Sequence, residues 1–184
     1  MGSDRNTLDE LIPTAHWRIQ LHRVIPATPV EAFSSIDHVQ MVDLSLASFG
    51  AGLADLGAIG RGQQIGARDR SVMEYLFDRG WSILELRPDT ELVLGQIGKF
   101  WRAGAPVQPG VARDEFEALG DPGFTKAAMS IRVGTADGDT IAVLDTRIVA
   151  TDGRSHRRMS RHWHATSWLH RLARRQFLDA LATH

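Results

Sequence analysis

Between Ser155 and Leu181 the chain has neither glycine nor proline, and this uninterrupted stretch constrains the fold more than any other feature. Within it Met159, Trp163, Thr166, Leu169, Leu172, Ala173, Phe177 and Leu181 recur at steps of three and four. That spacing places side chains on one face of an α-helix. Asp152 stands just ahead, where a short polar side chain can accept from the first free N–H groups. A kink is expected at Thr166-Ser167. A helix with one apolar stripe owes most of its stability to what the stripe packs on, so the residues before it must supply a matching surface.

Those residues read mainly as strands. His16–Val24 alternates, with Trp17, Ile19 and Leu21 on one face. Thr28-Pro29-Val30-Glu31 is a capping box with proline at the first helical position, so a short helix carrying Val30, Phe33 and Ile36 starts there. Leu44, Leu46, Phe49, Leu53 and Leu56 fit a loose helical face that Gly50, Gly52, Gly57 and Gly60 weaken. Ser71–Phe77 and Trp81–Leu86 are predicted as strands of a hairpin around Asp78-Arg79-Gly80. Glu91–Trp101, Lys126–Val133 and Thr140–Ala150 complete the set, the last two joined by a hairpin at Ala136-Asp137-Gly138-Asp139. Prolines and glycines make 103–123 a long loop with a turn of helix at Arg113–Leu119. Sequential hairpins followed by a long helix predict an α+β fold, the helix lying on one face of an antiparallel sheet. At 184 residues one domain is expected, over 15–184. Residues 1–14 read as a flexible segment, with a short helix at Thr7–Leu11 that Pro13 ends.

Composition narrows the function classes. The absence of cysteine excludes disulfides, thiolate metal sites and a cysteine nucleophile. With no basic, apolar leader and no run of about 18 apolar residues, a cytoplasmic protein without a membrane span is expected. A formal net charge of −1 gives no overall field for polyanions, and no nucleic acid partner is expected. From Arg154 onward, however, seven arginines face one acid, Asp179. They form either a solvated helix face or a docking face for an acidic partner, a nucleic acid or an anionic membrane.

Three stretches carry a family resemblance. HRVIPATPVEAFSSI (His22–Ile36), ELVLGQIGKFWR (Glu91–Arg102) and DTRIVATDGRSHRRMSRHW (Asp145–Trp163) resemble the START-like (SRPBCC) superfamily, the first looking like its opening strand and capped helix and the third like its last strand entering the long helix. This polyketide cyclase/dehydrase and lipid-transport superfamily shares the order of elements over roughly residues 16–181. The chain departs from it in having Asp145 where a related subgroup carries glutamate, and Ala165-Thr166-Ser167 where a proline-glycine break is usual. The resemblance implies a helix-grip fold, a curved sheet around the long helix with an apolar cavity between them. Relatives hold lipids, sterols, polyketides or plant hormones there; some catalyse cyclisation or dehydration and many only bind.

A small hydrophobic ligand is therefore the expected partner, with no cofactor and no metal. Asp145 and Arg147 share a strand face, because side chains two apart do, and Arg161 can approach from the helix. They form either a structural ion pair or a polar handle on the cavity floor. Phe100, Trp101 and Trp163 are the expected apolar contacts. On strand 91–101 both faces are apolar, so alternation does not choose the inward one; a bulge at Gly98 would turn Phe100 or Trp101 inward, and the apolar excess fits a covered edge or a homodimer. His162 and His164 point apart on a helix, and Asp152 with His156 offers too few ligands for zinc, so these histidines read as structural. Gly57–Gly66 resembles a dinucleotide loop only in Gly60-Arg61-Gly62 and lacks the preceding strand. The alternatives to binding are a cyclase, aromatase or dehydratase using Asp145 or a histidine as acid/base, and an interaction module using the arginine-rich helix.

Overall fold

The computed structural model describes residues 7–44, 70–102, 105 and 107–183. In chain order they form α1 (Thr7–Leu11), β1 (Trp17–Ile25), α2 (Pro29–Ser34), α3 (Val72–Asp78), β2 (Ser82–Arg87), β3 (Glu91–Gly98), α4 (Arg113–Ala118), β4 (Thr125–Ala136), β5 (Asp139–Ala150) and α5 (Gly153–Leu181). The strands make one antiparallel sheet in the order β1-β5-β4-β3-β2, curved against the long C-terminal helix. This is the α+β arrangement predicted from the chain. The apolar positions expected beyond Leu44 and the glycine-rich 57–66 stretch lie outside the described residues.

Helix α5 spans 29 residues, about 43 Å. The Asp152 carboxylate caps it by accepting from the Arg154 and Ser155 N–H groups. It runs unbroken through the expected kink, where the Thr166 hydroxyl donates to the His162 carbonyl. Thr28 and Glu31 cap α2 reciprocally, as their spacing requires. Asp137 and Gly138, both at positive φ, close the β4–β5 hairpin.

Two strand expectations fail for local reasons. Ser71–Phe77 is helical: the Ser71 hydroxyl accepts from Glu74 N–H, the Glu74 carboxylate accepts from Ser71 N–H, and Val72, Met73 and Leu76 share the buried face. Gly80, at φ 84°, follows the end of that helix instead of turning a hairpin. Strand β3 ends at Gly98 and pairs with β4 without interruption, so there is no bulge at Gly98; the irregularity lies in β2, between Ile83 and Glu85.

All eight residues of β3 are buried because both faces of the sheet are covered. On the inner face Leu92, Leu94, Met129, Ile131 and Leu144 share one core with Met159, Phe177 and Leu181 of α5. On the outer face Val93, Ile97 and Ala128 pack with Leu8, Leu11 and Ile12 from the α1 segment and with Phe116 of α4. Residues 7–12 are thus packed, not frayed, and helices of the same chain cover the second apolar face. Thr7 and Ser130 both donate to the buried Glu91 carboxylate, tying α1 to the sheet. No helix among the described residues is long and apolar enough to cross a membrane.

Candidate functional site

The inner face of the sheet and α5 do not meet along their whole length. Ala127 of β4 and Thr146 of β5 stand where larger side chains such as Met129, Ile131 and Leu144 fill the rest of the core. There a cavity of about 460 Å³ opens between Ala127 and Ile148 of the sheet and Met159 of α5. Trp81 and Phe100 add aromatic walls, and Gln96 and Thr146 add polar atoms. From α5, His162, His170 and Arg174 face it. Arg102, which is exposed, and the half-buried Arg79 and Lys99 lie toward the solvent side of the lining. Asp78 is the lining's one carboxylate among the described residues, and it pairs with Arg70 at 2.6 Å.

Of the six residues expected to contact a ligand, Phe100 borders this cavity. It packs over Gly98, where a Cβ would lie 2.9 Å from its ring. Trp101 sits in the turn after β3, half-buried, and lines a shallow surface depression with Arg161 and His162. Trp163 belongs to a line of rings between α5 and β1. It stacks on His170 at 5.5 Å and lies 6.4 Å from Trp17, which stacks on His156 at 5.0 Å. His156, Trp163 and His170 are seven apart on α5, so one seam of the helix presents all three rings. His16 completes the line, 4.7 Å from His156; burial and then His156 lower its pKa.

Asp145 and Arg147 do share a strand face, but it is the outer one. Asp145 is 0% exposed and accepts from Arg18 at 3.0 and 2.7 Å. Arg147 reaches Asp145 at 3.4 Å and Asp9 at 2.7 Å, and donates to the Leu8 and Ile12 carbonyls. This pair fastens α1 to the sheet and does not reach the cavity floor. The reason is register: Thr146 and Ile148 take the inward positions of β5, leaving 145 and 147 outward.

The residue that sequence reading missed is Arg174. Six of the seven arginines from Arg154 onward are exposed along α5, and Arg174 alone is turned inward, at 6% exposure. Its Nε donates to the Thr146 hydroxyl at 2.8 Å and its Nη1 to the His170 carbonyl at 2.9 Å. The available signal was its position: 174 lies four residues after His170 and three before Phe177, on the packed side of the helix. Among the described residues no group of three or more His, Asp or Glu could hold a metal ion. The cavity can therefore enclose a small molecule and offer it imidazole and guanidinium groups.

No family model and no curated protein matches this chain. Among solved structures, DynU16, a protein of the dynemicin biosynthetic locus, aligns with 85% of the chain at 10% identity and a TM-score of 0.32. The alignment covers 46% of DynU16, so the chain spans about half the length of that protein. A likeness at that level carries no argument about function.

Proposed function

We propose that this chain binds a small molecule with an apolar body, of the lipid or polyketide kind, in the cavity between the sheet and α5. The observation that carries the reading is the cavity itself. Its volume of about 460 Å³ lies within the range of small-molecule sites, and its lining combines Ala127, Ile148, Met159, Trp81 and Phe100 with a few convergent polar groups. The START-like resemblance supports the same class, since that superfamily places its ligands between sheet and grip helix.

The test combines two measurements. Native mass spectrometry of protein purified from its own host should find a co-purified small molecule. N-phenyl-1-naphthylamine, a neutral apolar dye, should bind the full chain and raise its melting temperature with dye concentration. Ala127, on the sheet wall, is the place to fill the cavity. Ala127→Phe should abolish dye binding while the protein stays folded by circular dichroism. Dye binding that survives in the folded variant would place the ligand elsewhere and overturn the reading.

A further inference from the structure

Arg174 is a buried charge without a counter-charge. Its two hydrogen bonds go to neutral oxygens, and among the described residues it forms no ion pair. Other deeply buried charges are matched: Asp145 by Arg18 and Arg147, Arg147 by Asp9, and Glu91 by Arg87. The buried Lys126 is spent on the Phe116 and Glu117 carbonyls at the end of α4, away from the cavity. Removing a lone cation from water is costly unless an anion or further acceptors compensate it. Burial pulls the Arg174 guanidinium down to about 10, so it stays charged at neutral pH.

The surroundings add to the same sign. Arg79, Lys99 and Arg102 border the cavity, and the Asp78 carboxylate is taken by Arg70. A chain with a formal net charge of −1 thus places several cations around the cavity between sheet and α5. A guanidinium presents five N–H donors in a planar fork, and two hydrogen bonds are accounted for here. The geometry fits an oxyanion.

Building on the cavity-binding reading above, we infer that the ligand carries an anionic oxygen group, a carboxylate or sulfonate class of head, and that Arg174 is the residue that receives it. The apolar body then lies against Met159, Ile148 and Phe100, with the charged end directed to Arg174.

Two dyes test this. 1-Anilinonaphthalene-8-sulfonate and N-phenyl-1-naphthylamine share one arylaminonaphthalene body and differ by the sulfonate. Titrated against the full chain by fluorescence at about 0.15 M salt, the sulfonate dye should bind roughly 10- to 100-fold more tightly, the range of one charge-assisted contact. Arg174→Gln should remove most of the difference, leaving the smaller part owed to Arg79, Lys99 and Arg102, and Arg174→Lys should restore part of it. Where Arg174→Gln does not fold, the wild-type protein still decides: decanoate should displace the neutral dye at lower concentration than decanol. Equal affinity of the two dyes, with decanoate and decanol equally effective, overturns the inference and leaves the cavity reading standing. A sulfonate preference that survives Arg174→Gln undiminished, or that survives Ala127→Phe, belongs to other cations and overturns it too. Binding of neither dye overturns both readings.

Discussion

Replacing Arg147 by methionine should release the N-terminal helix and leave the cavity intact. The guanidinium holds Leu8 and Ile12 carbonyls at 3.2 and 3.1 Å, Asp9 at 2.7 Å and Asp145 at 3.4 Å. Breaking a buried ion pair by removing one partner costs about 3–5 kcal/mol, chiefly because the other charge stays buried. Here the remaining charge is Asp145, which keeps two contacts from Arg18, itself 46% exposed. Methionine approximates the arginine stem in volume, so little cavity is added. The loss should therefore lie near the lower end, about 3 kcal/mol. For a chain of this size that lowers the melting temperature by about 6–12 °C. Urea melts measure it, and hydrogen exchange should show faster exchange of the amides of 8–12 than of β4 and β5. Binding of the neutral dye by the folded fraction should be unchanged. A loss below about 1 kcal/mol with those amides still protected would refute the clasp. Weakened dye binding in a stable variant would return Arg147 to the ligand.

Gly95→Ala should cost about 1–3 kcal/mol by overpacking, because a Cβ there would lie 2.3 Å from Leu84 Cδ1. The penalty should shrink in a Leu84→Ala background, and strictly additive urea midpoints would refute the clash. His16, held below its ordinary 6.5 by burial and then by His156, binds protons less tightly folded than unfolded. Its contribution is thus complete above that value and lost as pH falls through the lower folded one, and His16→Gln should flatten the decline of the urea midpoint between about pH 7.5 and 5.5. The exposed arginines of α5 should retain heparin or DNA only at low salt, with release by about 0.15 M; sub-micromolar DNA affinity at that salt would refute this.

The long helix was legible because nothing in Ser155–Leu181 interrupts it and Asp152 starts it. The α2 cap and the Asp137-Gly138 hairpin were legible for the same kind of local reason. Val72, Tyr75 and Phe77 favour strands, and that propensity hid the Ser71-x-x-Glu74 cap which in the fold outweighs it. At the site, alternation placed Asp145 and Arg147 on one face correctly but could not say which face. That choice depends on pairing with Arg18, 127 positions earlier in the chain. Arg174 stayed hidden among neighbouring arginines, since composition reads a charge run as one surface while the helix turns one member inward.

The sheet order has a consequence for how the protein is made. Among the described residues strand β1 finds its one partner in β5, and a ribosome must deliver the chain from Trp17 through β5 before that pair can form. The hairpin β4–β5 can zip locally, whereas β1 must wait, its edge unpaired, until β5 has been made. Contacts of such long sequence separation slow folding, because loop closure is paid for before they reward it. The cavity wall supplied by α5 arrives later still. A ligand therefore has no complete site on a nascent chain until α5 has been made, and can act on folding only from that point.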